Sequence, residues 1–414
     1  MDIQIVGYAI PAIAKDWGLA KSSFASVLAA GLFGVTLGSA IGGLLGDRIG
    51  RRPALILSVF FFAANTLGMS LPHSLLPLLL LRFCAGVGIG GVLPNAATLT
   101  SEYTPLNRRP FATTLTIICI PVGGMVAGII ASSLLGEHSW RVLFLVTGLL
   151  PMLLACFLLA ALPESPRFLA KTKKNAAQLA AILKSIGRPV DDSLGFMLPE
   201  ETLEETRAVE AMPGPRALFA GLQGRDTLAL WGAFFFCLLT VYLAFNWLPS
   251  ILLACHLTGR EASEGLTLYN FGGIVGAVAV GWWISLRGSR LPMSLSAGFA
   301  IVSACLLAWL VFAGSATHPT LLAVVGIHGL AVNAVQTTLY SLATHLYATR
   351  IRATGVAFAL AIGRTGAIVS AYLGASLLAL HAANYFIVLA VTMCLVLISI
   401  QLIRNHISDS AGVQ

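Results

Sequence analysis

Four ionisable side chains lie within, or at the end of, stretches that are otherwise apolar: Asp2, Arg82, Glu102 and Arg364. An ionised group at the centre of a membrane helix costs about 2.5–3.5 kcal/mol on insertion scales, so each is a functional candidate. Two arginines in one water-filled cavity favour an anion, and a planar guanidinium matches a carboxylate bidentately. A carboxylate in a low-dielectric wall can bind and release a proton, because burial disfavours its charged form. These residue types therefore predict that an organic anion and H⁺ bind together.

Each of these side chains also has a purely structural interpretation. Arg82 and Arg364 could pair with backbone carbonyls between helices. Asp2 could be solvated at the start of the chain, and Glu102 could pair with an arginine of the next inner loop. The sequence leaves these alternatives open.

A second set of polar and aromatic residues lies where it could face the same pathway. It consists of Gln4, Tyr8, Asn95, Asn246, Trp247, Asn270, Gln336 and Tyr340. Aromatic rings stack on an aromatic guest, but more often they pack against neighbouring helices. His328 and His345 could act as proton relays, although a hydrogen-bonded interior histidine is the more common role. To the four ionisable residues, the predicted substrate and proton site adds Gln4, Asn95, Gln336 and Tyr340.

The composition is that of a chain whose solvent is lipid. Of its 414 residues, 57% are hydrophobic and 10% are charged, whereas soluble domains carry about 25% charge. The mean hydropathy is +0.88, and no aqueous core could bury so much apolar surface. The net charge of +8 does not indicate nucleic acid, because the basic residues sit in loops between apolar runs. The seven cysteines have no paired spacing and are interpreted as small hydrophobic residues.

Apolar runs between turn or charge clusters predict about twelve membrane spans. Eleven of them lie near 24–46, 53–71, 75–100, 110–135, 141–162, 227–254, 264–286, 292–313, 320–346, 353–379 and 383–403. The first apolar run, 1–13, is too short to cross about 30 Å of hydrocarbon. We therefore expect the first span to be only partly present, with a start that is truncated in this chain.

A polar segment at 163–225 divides the chain into an N-terminal six-helix bundle at 1–162 and a C-terminal one at 226–404, followed by a tail at 405–414. We expect a short amphipathic helix near 176–186 in that segment. Nineteen of the 25 Lys and Arg residues fall in one set of loops, four in the other set and two inside spans. The positive-inside rule then places both termini and the long segment in the cytoplasm.

The most charged short inner loop has the sequence GLLGDRIGRR, residues 43–52. Its arginines anchor the loop in the cytoplasm, and we expect Asp47 to reach the positive N-terminus of another helix and latch it. A plain anchor is the alternative for the arginines. A second copy at 281–290 has Ser285 in place of the acid, so we expect a weaker latch or none there. Duplicated halves of this kind rock around a site near the midplane in secondary transporters.

Several stretches resemble the major facilitator superfamily and, within it, the bacterial aromatic acid:H⁺ symporters. They are MDIQIVGYAIP, GLLGDRIGRR, LRFCAGVGIGGVLPNAATLTSEYTPLNRR, WRVLFLVTGLLPM, LPESPRFL, FNWLPSIL and QTTLYSLATHLYATRIRATGVAFALAIGRTGAI. In that family the first span carries D-G-x-D, and only its second acid matches here, as Asp2. The resemblance implies an all-α membrane protein with the major facilitator fold, in which two six-helix bundles surround a central cavity.

The resemblance also implies roles for Arg82, Glu102, Arg352 and Arg364, and gating roles for Asp47, Arg51 and Arg52, around which we predict a wider gating set. The gating set is Gly43, Asp47, Arg48, Gly50, Arg51, Arg52, Arg108, Arg109, Glu164, Arg167 and Arg352.

The residues and the resemblance together predict proton-coupled uptake of a small aromatic carboxylate, of the benzoate or hydroxybenzoate type, across a bacterial inner membrane. The expected partners are this anion, a proton and the lipid bilayer, with no cofactor and with a monomer as the default. A sugar porter, or an exporter of drugs or metabolites, is the alternative on the same fold. A membrane sensor that binds without transport is a more remote alternative. An enzyme is not expected, because no Ser/His/Asp set, phosphate loop or metal spacing appears.

Overall fold

The computed structural model describes residues 1–105, 109–135, 139–172, 218–219, 223–314, 317–347 and 349–407. Side chains at 109–111, 113–114, 171–172, 223 and 349–353 are outside that description. In chain order its α-helices are α1 Asp2–Trp17, α2 Ala25–Ile49, α3 Arg51–Gly68, α4 Leu75–Tyr103, α5 Arg109–Leu134, α6 Trp140–Ala161, α7 Pro166–Thr172, α8 Gln223–Ala254, α9 Gly259–Arg287, α10 Arg290–Ala313, α11 His318–Leu346, α12 Thr349–Leu377 and α13 Ala382–Leu402.

Twelve of these helices correspond one to one with the predicted spans. Ten are long and apolar enough to cross a membrane. The other two are α1, which has 16 residues, and α3, which has 18 residues and begins with two arginines. The short helix α7 follows the sixth span. The prediction of an all-α membrane protein is confirmed.

Two helix boundaries differ from the predicted ones for local reasons. α9 begins at Gly259 rather than 264, because Thr258 and Glu261 form a capping box: each side chain accepts a hydrogen bond from the backbone of the other. α3 ends at Gly68 rather than 71, because Met69 and the two residues after it form tight turns. The amphipathic helix predicted near 176–186 lies outside the described residues.

Glycines bring the second and fourth spans of each half into close contact. Between α2 and α4, a Cβ atom on Gly38 would lie 2.0 Å from the carbonyl oxygen of Val87. Between α9 and α11, a Cβ atom on Gly272 would lie 2.1 Å from the carbonyl oxygen of Gly326. A larger side chain would separate the helices at either point. The same pair of spans therefore packs through glycine in both halves, as an internal repeat predicts.

In the described part of the chain, the most extensive contacts between the two halves lie along three helix pairs: α1 with α8, α2 with α12 and α5 with α9. At the first pair, a Cβ atom on Gly7 would lie 2.4 Å from the carbonyl oxygen of Phe245. At the third, a Cβ atom on Gly128 would lie 2.0 Å from the hydroxyl of Thr267. At these points a glycine allows the two halves to approach each other closely. The residue limits given above for the two bundles stay a prediction.

Candidate functional site

Arg82 on α4 is held by the start of α1 and is almost fully enclosed. Its Nη1 atom donates to Oδ2 of Asp2 and to the Asp2 carbonyl, each at 3.1 Å. Its Nη2 atom donates to the Ile3 carbonyl at 2.9 Å. The other carboxylate oxygen of Asp2 accepts from the Thr66 hydroxyl at 2.7 Å. Arg82 is 2% exposed and Asp2 is 6% exposed, so the two charges neutralise each other inside the protein.

This ion pair occupies a space that a glycine leaves open. The Nε atom of Arg82 has no hydrogen-bond partner among the described residues. It faces Gly31 on α2, where a Cβ atom would lie 2.5 Å away. Because both charges are buried, removing one partner leaves the other uncompensated, which costs about 3–5 kcal/mol in comparable cases.

Arg364 on α12 is in a different environment. Its guanidinium donates to the hydroxyl of Ser39 on α2, which is a contact between the two halves. No acid pairs with Arg364 in the part of the chain that the structure describes, and its side chain is only half-buried. Arg364 is therefore a positive charge without a counter-ion among the described residues.

Two of the predicted site residues lie on α11 beside Arg364. Tyr340 interacts electrostatically with Arg364, and its ring packs edge-on against Phe234 with the centroids 5.5 Å apart. Gln336 lies one helical turn from Tyr340 and on the same face. Both side chains are half-buried, and neither has a hydrogen-bond partner within the described ranges. Their polar groups are therefore free to contact a guest.

Sequence analysis missed one residue of this group, Tyr242 on α8. Tyr242 lies near enough for the charges of both Arg82 and Arg364 to act on its phenol, and it also lies near Tyr340. The pattern that selected Tyr340, a tyrosine inside an apolar span, was equally present at Tyr242. We call the group of Arg364, Tyr242, Tyr340 and Gln336 the Arg364 site.

Gln4 joins the two halves instead of standing free in a cavity. Its Nε2 atom donates to Oδ1 of Asn270 at 3.1 Å, and Nδ2 of Asn270 donates back to Oε1 of Gln4 at 2.8 Å. One turn further along α1, the hydroxyl of Tyr8 donates to the Gly124 carbonyl at 3.3 Å. This face of α1 is therefore closed by α5 and α9.

Asn246 and Trp247, also candidates from the sequence, are buried on α8. Asn246 donates to the Ser370 hydroxyl at 3.5 Å. Trp247 is 0% exposed and lies against Gly374, where a Cβ atom would be 2.1 Å from the indole. Both side chains pack against α12.

The two histidines have different surroundings. His328 is buried on α11 and its Nδ1 atom lies 2.9 Å from the Ser303 hydroxyl, which is the environment of a hydrogen-bonded interior histidine. His345 is exposed near the end of the same helix.

Asn95 lies with the loop at 43–52 and not with Arg82. Its amide nitrogen donates to the carbonyls of Gly42 and Gly91, each at 2.8 Å. Its Oδ1 atom accepts from Nη1 of Arg51 at 3.3 Å. The side chain thus fastens α2 to α4 and carries the loop arginine, so its amide is satisfied by protein groups.

The helix latch expected of Asp47 is provided by Glu164 instead. Asp47 forms an ion pair with Arg51 one turn along the chain and stays 62% exposed. At the N-terminus of α3, Oε1 of Glu164 accepts from the backbone N–H of Arg52 at 3.1 Å and from that of Ser165 at 2.8 Å. An acid at this position interacts with the positive end of the helix dipole. The latch was predicted for Asp47, and in this structure Glu164, another residue of the predicted gating set, makes the contact.

Gly50 and Glu102 complete this inner contact. Gly50 has φ +106°, and a Cβ atom there would lie 2.5 Å from Oε2 of Glu164, so both the backbone and the space require glycine. Glu102 accepts from the Ser165 hydroxyl, and the Tyr103 hydroxyl donates to the Glu164 carbonyl at 2.7 Å. The inner ends of α3 and α4 are thereby tied to the segment after α6.

The remaining predicted gating residues make fewer contacts. Arg52 donates to the Leu159 carbonyl. A Cβ atom on Gly43 would meet nothing within 4 Å. Arg48 and Arg167 are exposed. Arg108 lies outside the described residues, as do the side chains of Arg109 and Arg352.

The second copy of the loop, at 281–290, is held by the chain after α13 rather than by an acid. The backbone N–H of Ser289 donates to the Ile407 carbonyl at 3.0 Å, and that of Ile407 donates to the Ser289 hydroxyl at 2.9 Å. The Ser289 hydroxyl also lies 3.1 Å from Nδ1 of His406. Burial lowers the pKa of His406. A neutral contact therefore occupies the place that Glu164 has in the first half.

Two cavities among the described residues lie away from the Arg364 site. They have volumes of about 450 and about 470 Å³ and lie between α10 and α13. The first is lined by apolar residues and by the exposed side chains of Cys305 and Cys394, so it faces lipid. Among the described residues, no group of three or more His, Cys, Asp or Glu is placed to hold a metal ion.

The chain belongs to the Major Facilitator Superfamily, whose family model matches residues 1–317. A solved structure of the xylose transporter XylE from Escherichia coli, in a partially occluded inward-open conformation, superposes with a TM-score of 0.73 at 17% identity, covering 98% of this chain and 96% of that one. This likeness confirms the fold.

Within the superfamily, the chain groups with aromatic acid transporters, as its motifs predicted. It is 35% identical to a 4-hydroxybenzoate transporter, PcaK, of Pseudomonas aeruginosa, over 92% of this chain and 83% of the relative. It is 32% identical to a gallate transporter of Pseudomonas putida, over 92% and 82%. It is 31% identical to a 3-(3-hydroxy-phenyl)propionate transporter of Escherichia coli, over 92% and 84%.

Proposed function

We propose that the protein imports a small aromatic carboxylate, of the benzoate or hydroxybenzoate type, together with H⁺ by alternating access. The observation that carries the proposal is Arg364, a half-buried guanidinium without a counter-ion in the described part of the chain. Placing a positive charge in this position is costly unless an anion uses it. The substrates named for the similar transporters are aromatic acids, which supports this choice of anion.

The Arg364 site matches the two parts of such a substrate. The carboxylate accepts hydrogen bonds from the guanidinium, in competition with the Ser39 hydroxyl. The aromatic ring packs against Tyr340, which Phe234 holds in place. Gln336, with a donor and an acceptor, is available for a ring hydroxyl.

Coupling to H⁺ rests in this proposal on Asp2 and Arg82. While Asp2 is ionised it neutralises Arg82, so only Arg364 attracts an anion. Protonation of Asp2 releases the positive charge of Arg82 and strengthens anion binding. By linkage, a bound anion then favours the protonated form of Asp2 to the same extent. This reciprocity makes the two ligands bind and leave together.

Alternating access requires the contacts between the halves to open and close. Those contacts include the Gln4–Asn270 amide pair, the Ser39–Arg364 hydrogen bond and the close approach of Gly128 to Thr267. In the proposal, the protein acts as a monomer in a bacterial inner membrane with both termini in the cytoplasm. The proton gradient is its driving force and it needs no cofactor.

A sugar porter is the weaker candidate on this fold. The similarity to xylose transporters, at 17% identity, concerns the fold. A neutral sugar would leave Arg364 without an opposite charge in a low-dielectric cavity. An exporter of organic anions, or a sensor that binds without transport, would use the same site and is separated by experiment.

The test is transport by the purified full chain in proteoliposomes. We expect radiolabelled 4-hydroxybenzoate to accumulate when the outside is made acidic, and accumulation to collapse with a protonophore. D-Xylose under the same gradient is the matched control and should not accumulate. Equal accumulation with and without the protonophore, or accumulation of xylose only, would overturn the proposal. Counterflow of unlabelled against labelled acid distinguishes transport from binding alone.

A further inference from the structure

Tyr242 is an exception within an enclosed stretch of α8. The structure describes every residue from Cys237 to Leu252, and all of them except Tyr242 are buried. This stretch is surrounded because α8 contacts α1, α9, α11, α12 and α13. Within this stretch only Tyr242 is partly exposed, so the surrounding helices leave part of its surface uncovered.

The ring of Tyr242 is fixed while its hydroxyl is free. The ring packs against Phe245 with the centroids 5.6 Å apart and the planes at 68°. Its hydroxyl has no hydrogen-bond partner in the ranges that the structure describes. The hydroxyl of Tyr385 also lacks one among the described residues, but it is sealed inside the second half. Tyr242 is thus a positioned donor whose hydroxyl a ligand can reach.

The packing of α1 on α8 places Tyr242 level with Arg82. Five spans separate these two helices in the chain, so they run in the same direction. They touch where Gly7 meets the carbonyl oxygen of Phe245, with a Cβ distance of 2.4 Å. Ile3 lies one turn before Gly7 on α1, and Tyr242 lies about one turn before Phe245 on α8, so these two residues are at the same height along the parallel helices. The Ile3 carbonyl accepts the hydrogen bond from Nη2 of Arg82 at 2.9 Å.

The packing of α12 on α8 places Tyr242 near Arg364 as well. A Cβ atom on Gly363 would lie 2.6 Å from the side chain of Leu238. Leu238 is one helical turn before Tyr242, and Arg364 follows Gly363 directly. The electrostatic interaction of Tyr242 with both arginines agrees with this geometry.

We propose that Tyr242 is a substrate-binding residue whose hydroxyl donates a hydrogen bond to the carboxylate held by Arg364, on the side that faces Arg82. The inference rests on the proposed function and gives Tyr242, which brings a third helix to the Arg364 site, a direct contact with the substrate. An ionised carboxylate has about four lone-pair sites, so it accepts from a guanidinium and a phenol together. Tyr242 is then the protein group between the bound anion and the Asp2–Arg82 pair.

The test removes only the hydroxyl, by Tyr242→Phe in the full chain. Because the hydroxyl has no partner among the described residues, we expect the melting temperature to be unchanged. We expect the Kd for 4-hydroxybenzoate to rise about tenfold, which corresponds to one hydrogen bond to a charged group. In proteoliposomes, KM should rise while the maximal rate is retained. Binding is measured by equilibrium dialysis on the monodisperse protein, with the melting temperature measured on the same sample.

The matched control is Tyr385→Phe. That hydroxyl is buried without a partner in the described chain, so its removal should leave the Kd unchanged. A Kd for Tyr242→Phe less than fivefold above that of the wild type overturns this inference and leaves the proposed function standing. If the wild type binds no aromatic carboxylate, the proposed function fails first. A rise in Kd of fivefold or more that the control does not share supports Tyr242.

Discussion

Arg82 and Arg364 have the same sequence signature but opposite environments. Both are arginines in glycine-containing apolar spans, and both were selected because a charge in lipid needs a reason. Arg82 is 2% exposed and bound to Asp2 and two carbonyls of α1. Arg364 is half-buried and donates to one hydroxyl, on the opposite half of the molecule. Arg82 has its counter-ion, Asp2, within its own half, whereas Arg364 lacks a counter-ion among the described residues.

The difference shows that an arginine inside a span does not by itself provide a charge for a ligand. A ligand can pair with an arginine only where no protein carboxylate already does so. Asp2 neutralises the charge of Arg82, so among the described residues of the interior the uncompensated guanidinium is that of Arg364. In the proposed mechanism the charge of Arg82 becomes uncompensated, and can attract the anion, only when Asp2 takes up a proton. The comparison therefore predicts that mutations at Arg82 mainly lower the stability of the protein, whereas mutations at Arg364 mainly weaken binding of the substrate.

The largest effect is expected for Arg82→Ala. It leaves the buried carboxylate of Asp2 without its counter-ion, and the free energy of unfolding should fall by about 3–5 kcal/mol. The measurement is the melting temperature of purified protein in detergent. Asp2→Asn in the same background should restore much of the loss, because no uncompensated charge then remains. If Arg82→Ala melts with the wild type, the Asp2–Arg82 pair is not the closed unit described above.

Arg364→Ala should show the reverse pattern. Loss of the guanidinium should weaken binding of 4-hydroxybenzoate by about 100-fold, a charge-assisted bidentate pair being worth about 2–3 kcal/mol. The melting temperature without ligand should change little, because the side chain is half-buried and donates to a single hydroxyl. Binding by equilibrium dialysis and melting of the same sample test both halves of the statement.

Arg364→Lys is the matched control for geometry. It keeps the charge and loses the planar fork, so binding should be intermediate between the wild type and Arg364→Ala. Full binding by Arg364→Ala would remove the distinction between the two arginines and, with it, the main support for an anionic substrate.

The membrane spans and the two arginines could be predicted from the sequence, because the lipid environment constrains the composition of each span whatever it packs against. A span must be a long apolar run, so twelve of the thirteen α-helices that the structure describes could be placed from the apolar runs alone. Arg82 and Arg364 stand out in such runs whatever their partners are. The short helix α7 and the start of α9 were missed, since capping by Thr258 and Glu261 extends a helix beyond its apolar part.

The partners could not be predicted, because they depend on contacts between distant segments. Asp2 and Arg82 are 80 residues apart, and Gln4 and Asn270 are 266 residues apart. Asp47 has the position in the motif, but Glu164 reaches the N-terminus of α3 from the segment after α6. Which acid lies at a helix N-terminus is decided by how the spans pack, and a single sequence does not give that.

A smaller effect is expected for Thr66→Val at the Arg82 side of the comparison. Thr66 is 0% exposed and its hydroxyl donates to Oδ1 of Asp2 at 2.7 Å. Valine keeps the shape and removes the donor, so the free energy of unfolding should fall by about 1.5 kcal/mol. The measurement is again the melting temperature, with Thr36→Val as the control, because the hydroxyl of Thr36 bonds only within its own helix. Equal melting of the two variants would show that Asp2 does not depend on this hydrogen bond.

The smallest effect is expected for Ser39→Ala, which removes the protein partner of Arg364. Because Arg364 is half-buried, water can replace the serine hydroxyl, and the free energy of unfolding should change by less than about 0.5 kcal/mol. Binding of 4-hydroxybenzoate should stay equal or become slightly tighter, since the carboxylate no longer competes with Ser39 for the guanidinium. A clear loss of binding would mean that Ser39 positions Arg364 for the substrate. A clear loss of stability would mean that Arg364 serves, like Arg82, to close the structure.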